Sequence, residues 1–177
     1  LVMDFTKFGP LWILHVIDHF SKYHWAKAFR TKESSNVQSF LIELFLRTGP
    51  PEWMLTDNGG EFIANELKEF FKDWNVGMKH GLPYHPQTQG CIERAHQPLK
   101  DGLHKAIREQ LPDESDHSLE EFNELLGRIV ESINHEESRT TGYTPFLLFH
   151  RKHDLEYHAG YKATILQATV KDPTPEE

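Results

Sequence analysis

The sequence predicts an α/β domain in which helices are layered on a mixed β-sheet. Short runs rich in Val, Ile, Trp and Phe come first, parted by turn residues, and amphipathic segments of helical period then alternate with further short apolar runs. Strands, then helix and strand in alternation, then helices alone is the order of a single layered unit. A chain of 177 residues is long enough for one domain with a proper core, and no composition break divides it.

The elements follow in order. "LVMDF", "LWILHVID" and "WAKAFR" read as three strands in meander order, separated by Gly9-Pro10 and by "HFSKYH". In "SSNVQSFLIELFLRTG", Val37, Phe40, Leu41, Leu44 and Phe45 recur at helical spacing behind a serine N-cap, and Gly49-Pro50 is the stop. "EWMLTD" is a fourth strand, entered through Pro51 and left through Asn58-Gly59-Gly60. Leu67, Phe70, Phe71 and Trp74 line one side of a helix over "ANELKEFFKDW", and "VGMKHG" is a short fifth strand. "LPYHPQTQG" reads as a loop. The segment "CIERAHQPLKDGLHKAI" then carries a helical stripe of Ile92, Ala95, Leu99, Leu103 and Ala106. Ser118 and Glu121 form a capping box ahead of Leu119, Phe122, Leu125, Leu126, Ile129, Val130 and Ile133, a strongly amphipathic helix. "YTPFLLFH" suits a short helix with Pro145 at its first position. From Arg151 onward the periodicity lapses; "ATILQATV" suits a strand and "KDPTPEE" disorder.

Composition bounds the function. Hydrophobic residues make up 38%, and no apolar run approaches the ~20 residues of a membrane span, so no membrane partner is expected. The chain opens on an apolar run with no basic n-region and no small-residue cleavage site, as an excised piece of a longer protein would. The single cysteine, Cys91, forms no internal disulfide and no cysteine-based zinc site, which points to a reducing compartment, cytosol or nucleus, with the nucleus preferred. Cys91 itself reads as a small packing residue. Net charge is −8, yet nine acids against Arg128 between Pro112 and Glu137 account for all of it, and the remainder balances at 18 basic and 18 acidic residues. An acidic total therefore does not exclude a nucleic-acid partner. The twelve histidines are scattered without an HExxH motif and read as surface or packing residues.

Three acids stand where acids are structurally awkward. Asp4 ends one apolar strand, Asp57 ends another, and Glu93 lies between Ile92 and Ala95 early in a helix. Open α/β sheets place their sites at strand ends. Mg²⁺ and Mn²⁺ take hard oxygen ligands, and a pair of such ions on shared carboxylates suits phosphoryl transfer. Taken singly, each acid has an ordinary reading: a turn residue in "TDNGG" for Asp57, a solvated strand end for Asp4, an exposed helix position for Glu93.

Together, "MDF", "VIDHFSKY", "TDNGGEF" and "PYHPQTQGCIERAHQPLK" resemble the catalytic core of retroviral and LTR-retrotransposon integrases, the D,D-35-E family. Thirty-five residues lie between Asp57 and Glu93, the family's interval, and "GYTPFLLFHRK" is similar to the segment that closes these cores near Arg151. The resemblance implies a ribonuclease-H-like fold with a five-stranded mixed sheet over residues 1–151, followed by a partly disordered extension, 152–177. It implies that Asp4, Asp57 and Glu93 hold two Mg²⁺ or Mn²⁺ ions for 3′-end hydrolysis and strand transfer, with no small-molecule cofactor. It implies DNA as partner, met by Asn58 and Gly59 and by a loop carrying Tyr84, His85, Pro86, Gln87 and Gln89, with His96 and Lys100 on the following helix. It also implies a homodimer or higher oligomer through helices.

Some residues depart from that pattern or fit it in more than one way. Pro98 lacks the N–H that would bond the carbonyl of Arg94, so the helix either kinks there or starts afresh with Pro98 at its first position. Helical spacing puts Glu93, His96, Gln97, Lys100 and His104 on one polar ridge. Lys100, Lys105 and Arg108 are modest provision for phosphates. A host-domesticated integrase acting as a DNA- or protein-binding module stays open beside the enzyme. So does a ribonuclease-H-type nuclease, in which Asp18 would be a fourth ligand, although a turn residue suits Asp18 better. The acidic helix at 118–137 is either solvated or a dimer contact.

Overall fold

A computed structural model describes residues 1–157 apart from 58, 81–85, 111–117 and 140; the side chains at 80, 86–91, 93, 109–110 and 152–157 also lie outside it. The strand expected at 163–170 and the disordered tail fall outside the described residues.

The three opening runs form β1 (Val2–Phe8), β2 (Leu11–Ile17) and β3 (His24–Phe29), an antiparallel meander. Helix α1 (Ser34–Thr48) follows, then β4 (Trp53–Thr56), α2 (Gly60–Ile63), α3 (Asn65–Asp73) and β5 (Gly77–His80). Helices α4 (Pro86–Gln110), α5 (Leu119–His135) and α6 (Pro145–Tyr157) complete the chain. The strand order is β3-β2-β1-β4-β5, with β4 parallel to β1 and β5 parallel to β4, so the sheet is mixed as expected.

Alternation along the strands gives each face its own core. Met3, Phe5, Leu14 and Val16 project to one face and pack with Val37, Leu41 and Leu44 of α1 and with Leu67, Phe70 and Phe71 of α3. Ile13 and Ala28 project to the other, where Leu99 and Leu103 of α4 meet Phe122, Leu126 and Val130 of α5. The acidic α5 thus buries its apolar stripe inside this chain. Gly102 lets α4 and α5 approach, since a Cβ there would stand 2.7 Å from Ile129 Cγ2.

Four local expectations are corrected. Helix α1 begins at Ser34 with Glu33 as its N-cap and no side-chain cap bond, because neither serine turns back on the first-turn N–H groups. A short helix, α2, follows the "TDNGG" turn; four residues are too few for periodicity to announce. The segment read as loop to Gly90 is helical from Pro86, a first-turn position where a missing N–H costs nothing. Helix α4 then runs unbroken through Pro98, which neither ends it nor restarts it. Pro98 lies on the exposed side, where water can satisfy the carbonyl of Arg94 that its ring leaves unbonded. The capping box Ser118–Glu121 is present, with Ser118 Oγ accepting from the Glu121 N–H at 3.1 Å. Pro145 opens α6 as expected, and α6 runs beyond its expected end to Tyr157.

Candidate active site

Register aligns the strands that lead to two of the three acids. Val2 of β1 pairs in parallel with Leu55 of β4. Two residues further along each chain stand Asp4 and Asp57, which the same register, if continued, would set opposite one another on one face. Asp57 directly follows β4, whereas Asp4 is inside β1, third of seven residues, and does not end it. The reason is that β1 continues to pair with β2 as far as Phe8 while its pairing with β4 stops. Asp4 therefore stands where the parallel half of the sheet ends, which is the edge that matters for a site.

Helix α4 crosses this face. Ile92 packs against Val2 and Ile17, with Ala95 and Leu55 beside them. One residue past Ile92 is Glu93, whose side chain lies outside the described residues. Three residues past Glu93, His96 reaches the sheet: its Nε2 is 3.2 Å from Asp4 Oδ2. The helix backbone around Glu93 is thus pinned to β1 on either side of it.

The surroundings of the two aspartates differ. The Asp4 side chain is 25% exposed, enough for one edge of the carboxylate to face solvent. Asp57 is exposed, and its Oδ1 accepts from the Gly59 N–H at 2.9 Å, which ties the carboxylate to the turn behind it. A Cβ on Gly59 would stand 3.0 Å from both Asp57 Oδ1 and Glu61 Oε2, so glycine leaves room for two carboxylates at once. Glu61, which sequence reasoning passed over, is bonded through Oε1 to Lys32 Nζ at 2.8 Å. The Lys32 ammonium in turn lies 4.5 Å from the Trp12 ring centre. No spacing rule would find Glu61, because its partner lies in the loop before α1.

The polar ridge drawn from helical spacing is divided by the fold. Gln97 and His104 are exposed and Lys100 is half-buried, but His96 is buried beneath the helix. There His96 Nδ1 is 3.1 Å from His15 Nδ1, and His15 Nε2 is 2.9 Å from His24 Nδ1. Burial holds the His15 ring well below the ordinary histidine range, with the neighbouring His24 and His96 acting in the same direction. Burial likewise lowers His24 to about 4, helped by His96 and Lys22. Nothing in the order of residues announces this cluster, since its members come from β2, β3 and α4.

Of the remaining residues singled out in the sequence, Gly59 is the N-cap of α2, and Pro86, Gln87 and Gln89 belong to the start of α4. Asn58, Tyr84 and His85 lie outside the described residues. Asp18 holds the β2–β3 turn: its Oδ2 accepts from Ser21 N–H at 2.9 Å and from Ser21 Oγ at 2.6 Å. Among the described residues no three His, Cys, Asp or Glu side chains converge to hold a metal ion. Asp4 and Asp57 are the hard-oxygen pair that a divalent cation would take, with Glu93 the neighbour on α4.

Comparison with known proteins fits this geometry. Residues 1–86 match the family model of the integrase core domain. Over 134 residues, 75% of the chain, identity is 33% to the Gag-Pro-Pol polyprotein of squirrel monkey retrovirus, of which the match covers 7%. Over 109 residues it is 37% to the intracisternal A-particle Pol-related polyprotein of mouse intracisternal a-particle MIA14, covering 61% of the chain and 13% of that polyprotein. The chain thus spans a small part of these relatives' length. The catalytic core domain of BIV integrase superposes with a TM-score of 0.74 at 24% identity, covering 89% of this chain and 97% of that one. A chain of the simian T-cell lymphotropic virus intasome, in complex with PP2A regulatory subunit B56 gamma, gives 0.74 at 23% identity, covering 84% and 53%.

Sheet order and helix placement define the class, a ribonuclease-H-like α/β core. Within that class the motif spacing and the viral relatives agree: the chain is similar to the integrase core domain and to the Gag-Pro-Pol polyproteins of retroviruses.

Proposed function

We propose that the chain is the catalytic core of a DNA polynucleotidyl transferase, which hydrolyses a DNA 3′ end and joins the freed end to a target strand. The observation that supports this reading is the parallel pairing of Val2 with Leu55, each two residues before one of the aspartates, beneath a helix whose Ile92 packs on the same strands next to Glu93. Two strand-borne carboxylates on one face, with a third acid on the helix above, make a negatively charged, oxygen-only donor set suited to Mg²⁺ or Mn²⁺ and unsuited to soft metals. When bound, two such ions supply charge stabilisation at the attacking and leaving oxygens of an in-line displacement.

The chain's own part is positioning. His96 holds Asp4 by Oδ2, and the Gly59 N–H holds Asp57 by Oδ1, so each carboxylate is oriented by the protein through one of its oxygens. Beside them, α4 presents Arg94, Lys105 and Arg108 on its exposed side and Lys100 half-buried, cations for a phosphate backbone. The DNA end would lie along this helix. In this reading the active form is an oligomer built on DNA; the simian T-cell lymphotropic virus chain that shares the fold stands within an intasome.

The test is strand transfer of a short donor duplex into target DNA with Mn²⁺ or Mg²⁺. Wild type should join the ends, and Asp57→Asn should lower the rate by roughly 10²-fold or more, since the ions it helps to hold supply several kcal/mol of stabilisation. Calorimetric titration should find Mn²⁺ bound at millimolar concentration by wild type and not by Asp57→Asn. Joining that survives Asp57→Asn, or cleavage of RNA–DNA hybrids that depends on Asp18, would overturn the assignment.

A further inference from the structure

Behind Asp4 the structure holds three histidine rings in a row. His15 is fully buried and His24 and His96 are 7% exposed, and the ring centres are 5.0 Å apart for His15–His24 and 5.1 Å for His15–His96. The contacts run Asp4 Oδ2 to His96 Nε2, His96 Nδ1 to His15 Nδ1, and His15 Nε2 to His24 Nδ1, at 3.2, 3.1 and 2.9 Å. No buried polar side-chain atom among the described residues lacks a partner, so these contacts satisfy groups that would otherwise be stranded in the core.

We propose that this row is a hydrogen-bonded relay in which His96 is the positioning residue for Asp4, and His15 and His24 fix the orientation of the His96 ring. The proposal rests on reading Asp4 as a catalytic carboxylate. A carboxylate only accepts, so His96 must donate through Nε2. With one N–H on each ring, His96 Nδ1 is an acceptor and His15 donates through its own Nδ1. That leaves His15 Nε2 as acceptor and places the proton of His24 on Nδ1. Each N···N contact holds one hydrogen, and all three hydrogen bonds point toward Asp4. Burial favours the neutral form of His15 and His24, in keeping with one N–H on each of those two rings.

Both ends of the row are anchored. His15 stands on β2 directly across from Asp4, so strand pairing sets their spacing. His24 is gripped through its backbone: its N–H donates to Asn134 Oδ1 at 2.8 Å, and its carbonyl accepts from Asn134 Nδ2 at 2.9 Å. Asn134 is itself buried on α5. A line of hydrogen-bonded groups thus connects α5 to the carboxylate, ending on Asp4 Oδ2.

Long-range ¹H–¹⁵N NMR on protein labelled in histidine tests the tautomers directly near neutral pH. The expected pattern is Nε2–H on His96 and Nδ1–H on both His15 and His24, and Asp4→Asn should displace the His96 Nε2–H resonance. A proton on Nε2 of His15, the mark of a reversed row or a charged His96, would overturn the relay. In strand transfer, His15→Phe should lower kcat by about tenfold, the scale seen when an outer hydrogen-bond partner of a metal ligand is lost, with KM for DNA unchanged. His15→Gln, whose amide can donate to His96, should recover part of it. Unchanged kcat in His15→Phe would remove the positioning role. If wild type joined no DNA, the transferase reading would fail, while the tautomer pattern would still decide the relay.

Discussion

His24 is a residue whose burial has a price that depends on pH. In the folded chain its ring titrates at about 4, against 6.5 for an unperturbed histidine. Between those values the unfolded chain binds a proton that the folded chain does not, so stability rises with pH through this window and is lost as pH falls through it. Above about 6.5 both states are neutral and the contribution is constant. Full protonation of the unfolded state would remove about 3 kcal/mol by pH 4, and roughly 2 kcal/mol is already gone at pH 5. His15, lowered for the same reason, adds in the same direction. Urea unfolding at pH 7 and pH 5 measures the difference, and His24→Gln should shrink it. Equal stability at the two pH values would contradict the buried, uncharged state assigned to these rings.

At the scale of elements, α5 has a second use beside its apolar stripe. Strand β3 is an edge strand, and an edge leaves unpaired N–H and C=O groups. Asn123 meets the Ala28 N–H and carbonyl at 2.7 and 3.1 Å, and Asn134 does the same for His24. Two side-chain amides three turns apart thus stand in for part of a sixth strand. Helix α4 instead carries a defect: Pro98 in its interior costs up to about 3 kcal/mol against alanine. Because Pro98 is exposed, Pro98→Ala restores the bond to the Arg94 carbonyl without repacking the core. Its melting temperature should rise by several degrees, at about 2–4 °C per kcal/mol for a chain of this size. A melt equal to or below wild type would mean that α4 is already fitted to the proline.

At the scale of the whole molecule, charge is unevenly placed. The net −8 resides between Pro112 and Glu137, and Glu120, Glu124 and Glu131 are exposed on α5. In the proposed reading their field would oppose a DNA backbone approaching α4, which packs against α5. Changing the three to glutamine should tighten DNA binding at low ionic strength, and the gain should vanish as salt shortens the screening length below about 8 Å. Fluorescence anisotropy across a salt series distinguishes this from a direct contact. A gain that persisted at high salt would point to α5 touching the DNA itself.

Sequence alone determined what repeats or recurs locally. Apolar residues at period two or 3.6 marked all five strands and the cores of α1, α3, α4 and α5, because burying one face requires that spacing. The resemblance carried by the motifs and their spacing nominated Asp4, Asp57 and Glu93 as the proposed site, since the residue types and intervals of a local motif are written in the chain itself. Tertiary structure decided what depends on neighbours from elsewhere in the chain. The Val2–Leu55 register aligned the strands that lead to Asp4 and Asp57, although Asp4 sits within its strand. The packing of α4 turned His96 inward to Asp4 and His15, where helical spacing had put it on a polar ridge. Lys32, from the loop before α1, gave Glu61 its partner. The hydrogen bonds among these contacts join residues 29, 81 and 92 positions apart, and a bond across such a gap leaves no periodic trace in the chain that makes it.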